Sequence, residues 1–104
     1  DLLTYISENY DHASLSEFAA ARGQSLCSAS RRVRAEFGVP FRALLQEKRF
    51  ETALSYLTET GMPVADIISA VGYENASYFY RRFREKYHMS PDAYRQANRK
   101  QRRK

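Results

Sequence analysis

The stretch VADIISAVGYENASYFYRRFREKYHMSPDAYR, Val64 to Arg95, decides how this chain folds. Val64, Ile67, Ile68 and Val71 recur at the spacing of one helix face, Gly72 and Tyr73 interrupt it, and Phe79, Phe83 and Tyr87 begin a second face four residues apart. Two short helices joined by a glycine-containing turn form a helix-turn-helix. The second helix keeps Phe79, Phe83 and Tyr87 on one side, a stripe for the core rather than a platform for bases, while Ser77, Tyr80, Arg81 and Arg84 fall on the other sides. Such a helix can bury one edge and offer another to a nucleic-acid groove.

The pattern occurs twice. Leu15, Phe18 and Ala19 form an earlier apolar face, Gly23 supplies the turn, and Ser25 to Phe37 give a second helix with Val33 and Phe37 inward and Ser28, Ser30, Arg31 and Arg34 outward. Gly23 maps on Gly72 with an offset of 49, whereas Arg31/Arg81, Val33/Phe83 and Arg34/Arg84 are offset by 50. A duplicated unit whose second turn is one residue longer accounts for both numbers.

With these residues in view, the chain resembles the DNA-binding domain of the AraC/XylS family of bacterial transcription regulators. The segment from Gly72 to Arg95 is similar to that family's signature: an aromatic after glycine (Tyr73), then Ser77, Tyr78, Phe79, Arg81 and Phe83, and the closing Ser90, Pro91, Tyr94 and Arg95. The likeness continues back through RFETALSYL, similar to the family's connecting helix, through EFGVPF, and to YISENYDHASLSEFA near the start. It implies an all-α fold: two helix-turn-helix subdomains joined by a central connecting helix, about seven helices in total. The expected divisions are a first subdomain over 1–40, a connecting helix over 41–58, a second subdomain over 59–96 and a basic, disordered tail over 97–104.

The helix signals fit that plan. A helix from Asp1 to about Asn9 is amphipathic through Leu2, Leu3, Ile6 and Tyr10, and Ser14 or Ser16 can cap the next one with Glu17 near its positive end. Pro40 or Phe41 opens the connecting helix, whose apolar positions are Leu44, Leu45, Phe50, Ala53, Leu54 and Leu57, and Thr60-Gly61-Met62-Pro63 closes it. Ser90 and Pro91 start a last helix that shuts the second lobe. Few glycines and prolines and no alternating β-branched run argue against any sheet. A connecting helix of about eighteen residues rises about 26 Å, short of the roughly 34 Å between successive major-groove faces. Tilt of the reading helices, their offset from the axis or bending of the duplex must supply the difference, so a bent site is expected.

Charge is unevenly distributed. The net charge is +5, yet residues 1–30 hold one of the seventeen basic side chains and four of the twelve acidic ones, leaving sixteen against eight beyond. The basic excess begins at the first reading helix, and a polyanion that releases counterions on binding is its natural partner. One cysteine, Cys27, can make no internal disulfide and no Cys-rich zinc site, and His12 and His88 lack metal-ligand spacing, so neither metal nor cofactor is expected. A reducing, cytoplasmic setting fits, with no signal peptide and no membrane-length apolar run. The first residue is Asp1 rather than Met, which suggests a piece of a larger protein. The resemblance implies that a separate effector-sensing or dimerising domain accompanies it, and with no dimer seam on these helices the piece is expected to be monomeric.

Candidate site residues follow from faces and from the resemblance. On the second reading helix Asn75 is the expected N-cap, and Ala76, Ser77, Tyr80 and Arg81 match positions the family uses for base or nearby backbone contacts, with Tyr78 at the edge. Cys27, Ser28, Ser30 and Arg31 occupy the corresponding stretch of the first. Arg31 and Arg81 suit guanine, whose O6 and N7 accept a bidentate guanidinium. Arg32, Arg34, Arg82 and Arg84 suit phosphates or helix-surface ion pairs. Two departures from the family pattern bear on packing: Ile68 where a small Ala is common, and Ala29 with Val33 where Leu and Phe are usual, which leaves the first lobe a thinner core.

Three functions come into question. The resemblance implies sequence-specific binding of double-stranded promoter DNA, two reading helices in adjacent major-groove segments, and activation through RNA polymerase. A nonspecific basic module for nucleic acid or protein would instead bind without regard to sequence. A thiol-dependent enzyme is the weakest, because Cys27 has no neighbouring base in the sequence.

Overall fold

The computed structural model describes the backbone through residue 102 and side-chain burial through residue 98. Among the described residues there are seven helices and no strand: α1 (Leu2–Asn9), α2 (Leu15–Ala21), α3 (Leu26–Phe37), α4 (Phe41–Glu59), α5 (Val64–Ala70), α6 (Ala76–Tyr87) and α7 (Pro91–Arg102). They form two compact units, Asp1–Arg49 and Phe50–Lys104, so that α4 gives its first half to one and its second half to the other. Helix α7 runs through Arg102, which corrects the expectation of a disordered tail from residue 97. Residues 103 and 104 lie outside the described residues.

Short polar side chains start five of the helices, α1, α2, α3, α6 and α7. Asp1, Ser14, Ser25 and Asn75 accept from the amides of Thr4, Glu17, Ser28 and Tyr78, and Ser90 Oγ accepts from Ala93 N at 3.1 Å. Each satisfies one of the amides that a helix start leaves without an intrahelical partner, a contribution of about 1 kcal/mol apiece. Helices α2 and α5 end alike: Gly23 and Gly72 take φ of 69° and 104°, and the amides of Gln24 and Tyr73 reach back to the carbonyls of Ala19 and Ile68. This left-handed closure turns the chain sharply into α3 and α6. The turns span 22–25 and 71–75, so the second is the longer by one residue, as the change of offset requires.

The core of the first unit consists of Leu2, Ile6, Val33 and Leu45, with Tyr5, Leu15, Phe18, Phe37 and Leu44 packed partly buried against it. Leu3, expected on the inner face of α1, is 52% exposed instead. A cleft of about 240 Å³ lies beside this core, lined in part by Leu2, Leu15, Phe18, Ala29, Val33 and Phe37. In the second unit Phe50, Phe79 and Phe83 are buried, the ring of Phe50 lying 5.3 Å from Phe79 and 6.2 Å from Phe83, and Tyr87 and Tyr94 extend the cluster. Ile68 is buried within that unit.

Two arginines tie helices to neighbouring backbone. Arg49 Nε donates to Tyr10 O at 2.7 Å, at the end of α1. Arg95 donates from Nε to Leu57 O at 3.0 Å and from Nη2 to Met62 O at 2.6 Å, at and beyond the end of α4. A guanidinium there satisfies carbonyls that the helix end leaves unpaired. The segment Thr60 to Pro63 closes α4 as expected, with Thr60 Oγ1, which donates to Tyr56 O and accepts from Met62 N, working beside Arg95, and with Gly61 outside the left-handed region.

Candidate nucleic-acid interface

Helices α3 and α6 have the same length of twelve residues, the same kind of N-cap and the same sidedness. Ala29 and Val33 of α3 are buried, and so are their counterparts Phe79 and Phe83 of α6. Opposite them the candidate residues of α3 emerge: Cys27, Ser30, Arg31 and Arg34 are exposed, and Ser28 is half-buried. On α6, Asn75, Ala76, Ser77, Tyr80, Arg81 and Arg84 are all exposed. Within each helix the structure thus brings the candidate residues onto the surface left free by the core. The fold supplies the reason, since a helix with one apolar stripe buried must show its remaining faces.

The side chains differ in how far they are committed to the protein. Asn75 Oδ1 accepts from Tyr78 N at 3.0 Å, which leaves its amide N–H groups to point outward. Arg82 pairs with Glu85 at 3.0 Å on an exposed helix face, where such a pair contributes about 0–1 kcal/mol and yields readily to a phosphate. Arg31, Arg34 and Arg84 make no ion pair among the described residues. Arg81 lies over the ring of Tyr78, 5.5 Å from its centre.

One exposed residue escaped the sequence reading. Leu26 opens α3 and is 51% exposed, an apolar side chain one turn before the exposed Ser30 and Arg31. Its signal was present in the repeat, because Leu26 stands fifty residues before Ala76, itself a candidate. Among the described residues no group of three or more His, Cys, Asp or Glu could hold a metal ion, and no helix is long and apolar enough to cross a membrane.

Comparison with known proteins agrees with this geometry. The model of a helix-turn-helix domain family matches residues 13–97. Transcriptional activator NphR of Rhodococcus sp is 41% identical over 81 residues, covering 78% of this chain and 24% of NphR. Among solved structures, the C-terminal domain of AraT, a response regulator from Geobacillus stearothermophilus, is 30% identical with a TM-score of 0.84, covering 92% of this chain and 81% of that one. The DNA-binding domain of the global transcriptional factor AdpA, solved in complex with a target DNA, has a TM-score of 0.87 at 23% identity, covering 99% and 94% of the two chains, a likeness of fold. The chain belongs to the AraC/XylS-type helix-turn-helix family, a family of DNA-binding domains of transcription regulators rather than of enzymes. It spans about a quarter of the length of NphR.

Proposed function

We propose that this chain binds double-stranded promoter DNA in a sequence-specific way, α3 and α6 each entering one of two adjacent major-groove segments on the same side of the duplex. The observation that carries this reading is the matched pair of outward faces: Ser30 with Arg31 on α3, Tyr80 with Arg81 on α6, each at the same register behind a side-chain-capped helix start. Arg31 and Arg81 read guanine, Ser30, Ser77 and Tyr80 contact neighbouring base edges, and Leu26 and Ala76 meet thymine methyl groups. Arg34 and Arg84, a turn further along, neutralise phosphates, while the amides of the two helix starts, with Asn75 and the Ser28 and Cys27 side chains, meet the backbone or the groove floor. In the parent protein such a domain serves a regulator that acts on RNA polymerase, under an effector-sensing or dimerising domain.

Selection from a random duplex library at about 0.15 M salt tests it, because specific binding by such a protein exceeds nonspecific binding by about a thousandfold or more. Enrichment of a defined site is the expected result. Recovery of unenriched sequence, with binding that vanishes as salt rises, would establish the rival basic module instead.

A further inference from the structure

The two reading helices differ at one place that bears on recognition. On α6 the guanidinium of Arg81 lies over the ring of Tyr78, three residues earlier on the same helix. That ring is itself anchored: Tyr78 lies 6.0 Å from Tyr73, which is buried and packs at 5.7 Å on Phe50 and at 5.5 Å on Phe79. A chain of aromatic contacts thus runs from the centre of the second core to an exposed guanidinium. On α3 the corresponding position is Ser28, so Arg31 has no ring three residues before it.

We infer that Tyr78 is a positioning residue for base recognition, holding the planar guanidinium of Arg81 in the orientation that meets a guanine edge. This rests on the reading of Arg81 as a base contact. An arginine side chain is rich in rotamers, and each one lost on binding lowers affinity for the correct base. A cation–π contact with a half-buried ring removes part of that loss before DNA arrives and narrows the orientations open to the fork, which a bidentate contact requires. The consequence is confined to one base pair. Phosphate contacts have no such geometric demand, so affinity for unrelated sequence does not depend on Tyr78.

The test measures, for the enriched site, the ratio of affinities between the preferred base and its alternatives at each position, in wild type, Arg81→Ala, Tyr78→Leu, Tyr78→Phe and the Tyr78→Leu/Arg81→Ala double variant. Arg81→Ala first identifies the base pair concerned. Tyr78→Leu is expected to lower preference at that same pair by about two- to fivefold, the range an exposed cation–π contact allows. Tyr78→Phe should restore it, and the double variant should lose no more than Arg81→Ala alone. Equal weakening on all sequences, or undiminished preference in Tyr78→Leu, would overturn the inference while leaving Arg81 as a reader. No change of preference in Arg81→Ala would instead remove the reading beneath it. Should Tyr78→Leu fail to fold, the free wild-type protein still decides: ring-current shielding must move the Arg81 Hδ resonances upfield of those of Arg84, and unshifted resonances would refute the stack.

Discussion

His88 shows what a single residue contributes at the end of a reading helix. It caps α6 with φ of 63°, the left-handed region, at the place where α3 is closed by Gly38 with φ of 77°. A side chain in that region costs about 1–2 kcal/mol where glycine costs little, and glycine returns part of the gain as extra freedom of the unfolded chain. His88→Gly should therefore stabilise the second unit by about 0.5–1 kcal/mol, read as a raised thermal midpoint. An unchanged or lowered midpoint would show that His88 has compensating contacts. The repeat offset of 50 made the equivalence of His88 and Gly38 legible in the sequence, yet the strain was not, because nothing in the string states φ. The same holds for Arg95. It closes a recognisable motif, but its bonds to Leu57 O and Met62 O join residues more than thirty positions apart, beyond the reach of local pattern.

Among the elements, α3 and α6 are matched outside and unmatched inside. Phe79 and Phe83 fill the second unit, whereas Ala29 and Val33 border the open cleft of the first. A helix that packs through smaller side chains buries less apolar surface and is held less firmly. Val33→Ile places one more methylene toward the cleft and should stabilise the first unit by about 0.8 kcal/mol, with slower amide exchange in α1 to α3. Destabilisation would mean that the cleft cannot be entered without strain. Helix boundaries were largely legible, since caps such as Ser14, Ser25 and Asn75 and stops such as Gly23 and Gly72 are local chemistry. The last helix is not legible beyond residue 96 because its basic run carries no apolar stripe. The exposure of Leu3 was missed for the opposite reason: it belongs to an apolar pattern, but the face of α1 that packs is set by Leu2 and Ile6.

For the whole molecule, charge and shape divide the labour of binding DNA. The whole basic excess lies beyond residue 30, and each phosphate neutralised adds to the salt dependence of binding. Arg34→Ala and Arg84→Ala should each reduce the slope of log affinity against log salt by about 1, without altering the preferred sequence. A changed sequence preference in either would reassign that arginine from phosphate to base. The measurement that bears most directly on the central claim is the selected DNA site determined in parallel for wild type, Arg31→Ala and Arg81→Ala. Each variant is expected to relax the preference in a different segment, the two separated by about one helical turn, roughly 10 base pairs. If both variants relax the same positions, or if neither changes any while both merely weaken binding, the claim that each unit reads its own stretch of major groove is contradicted.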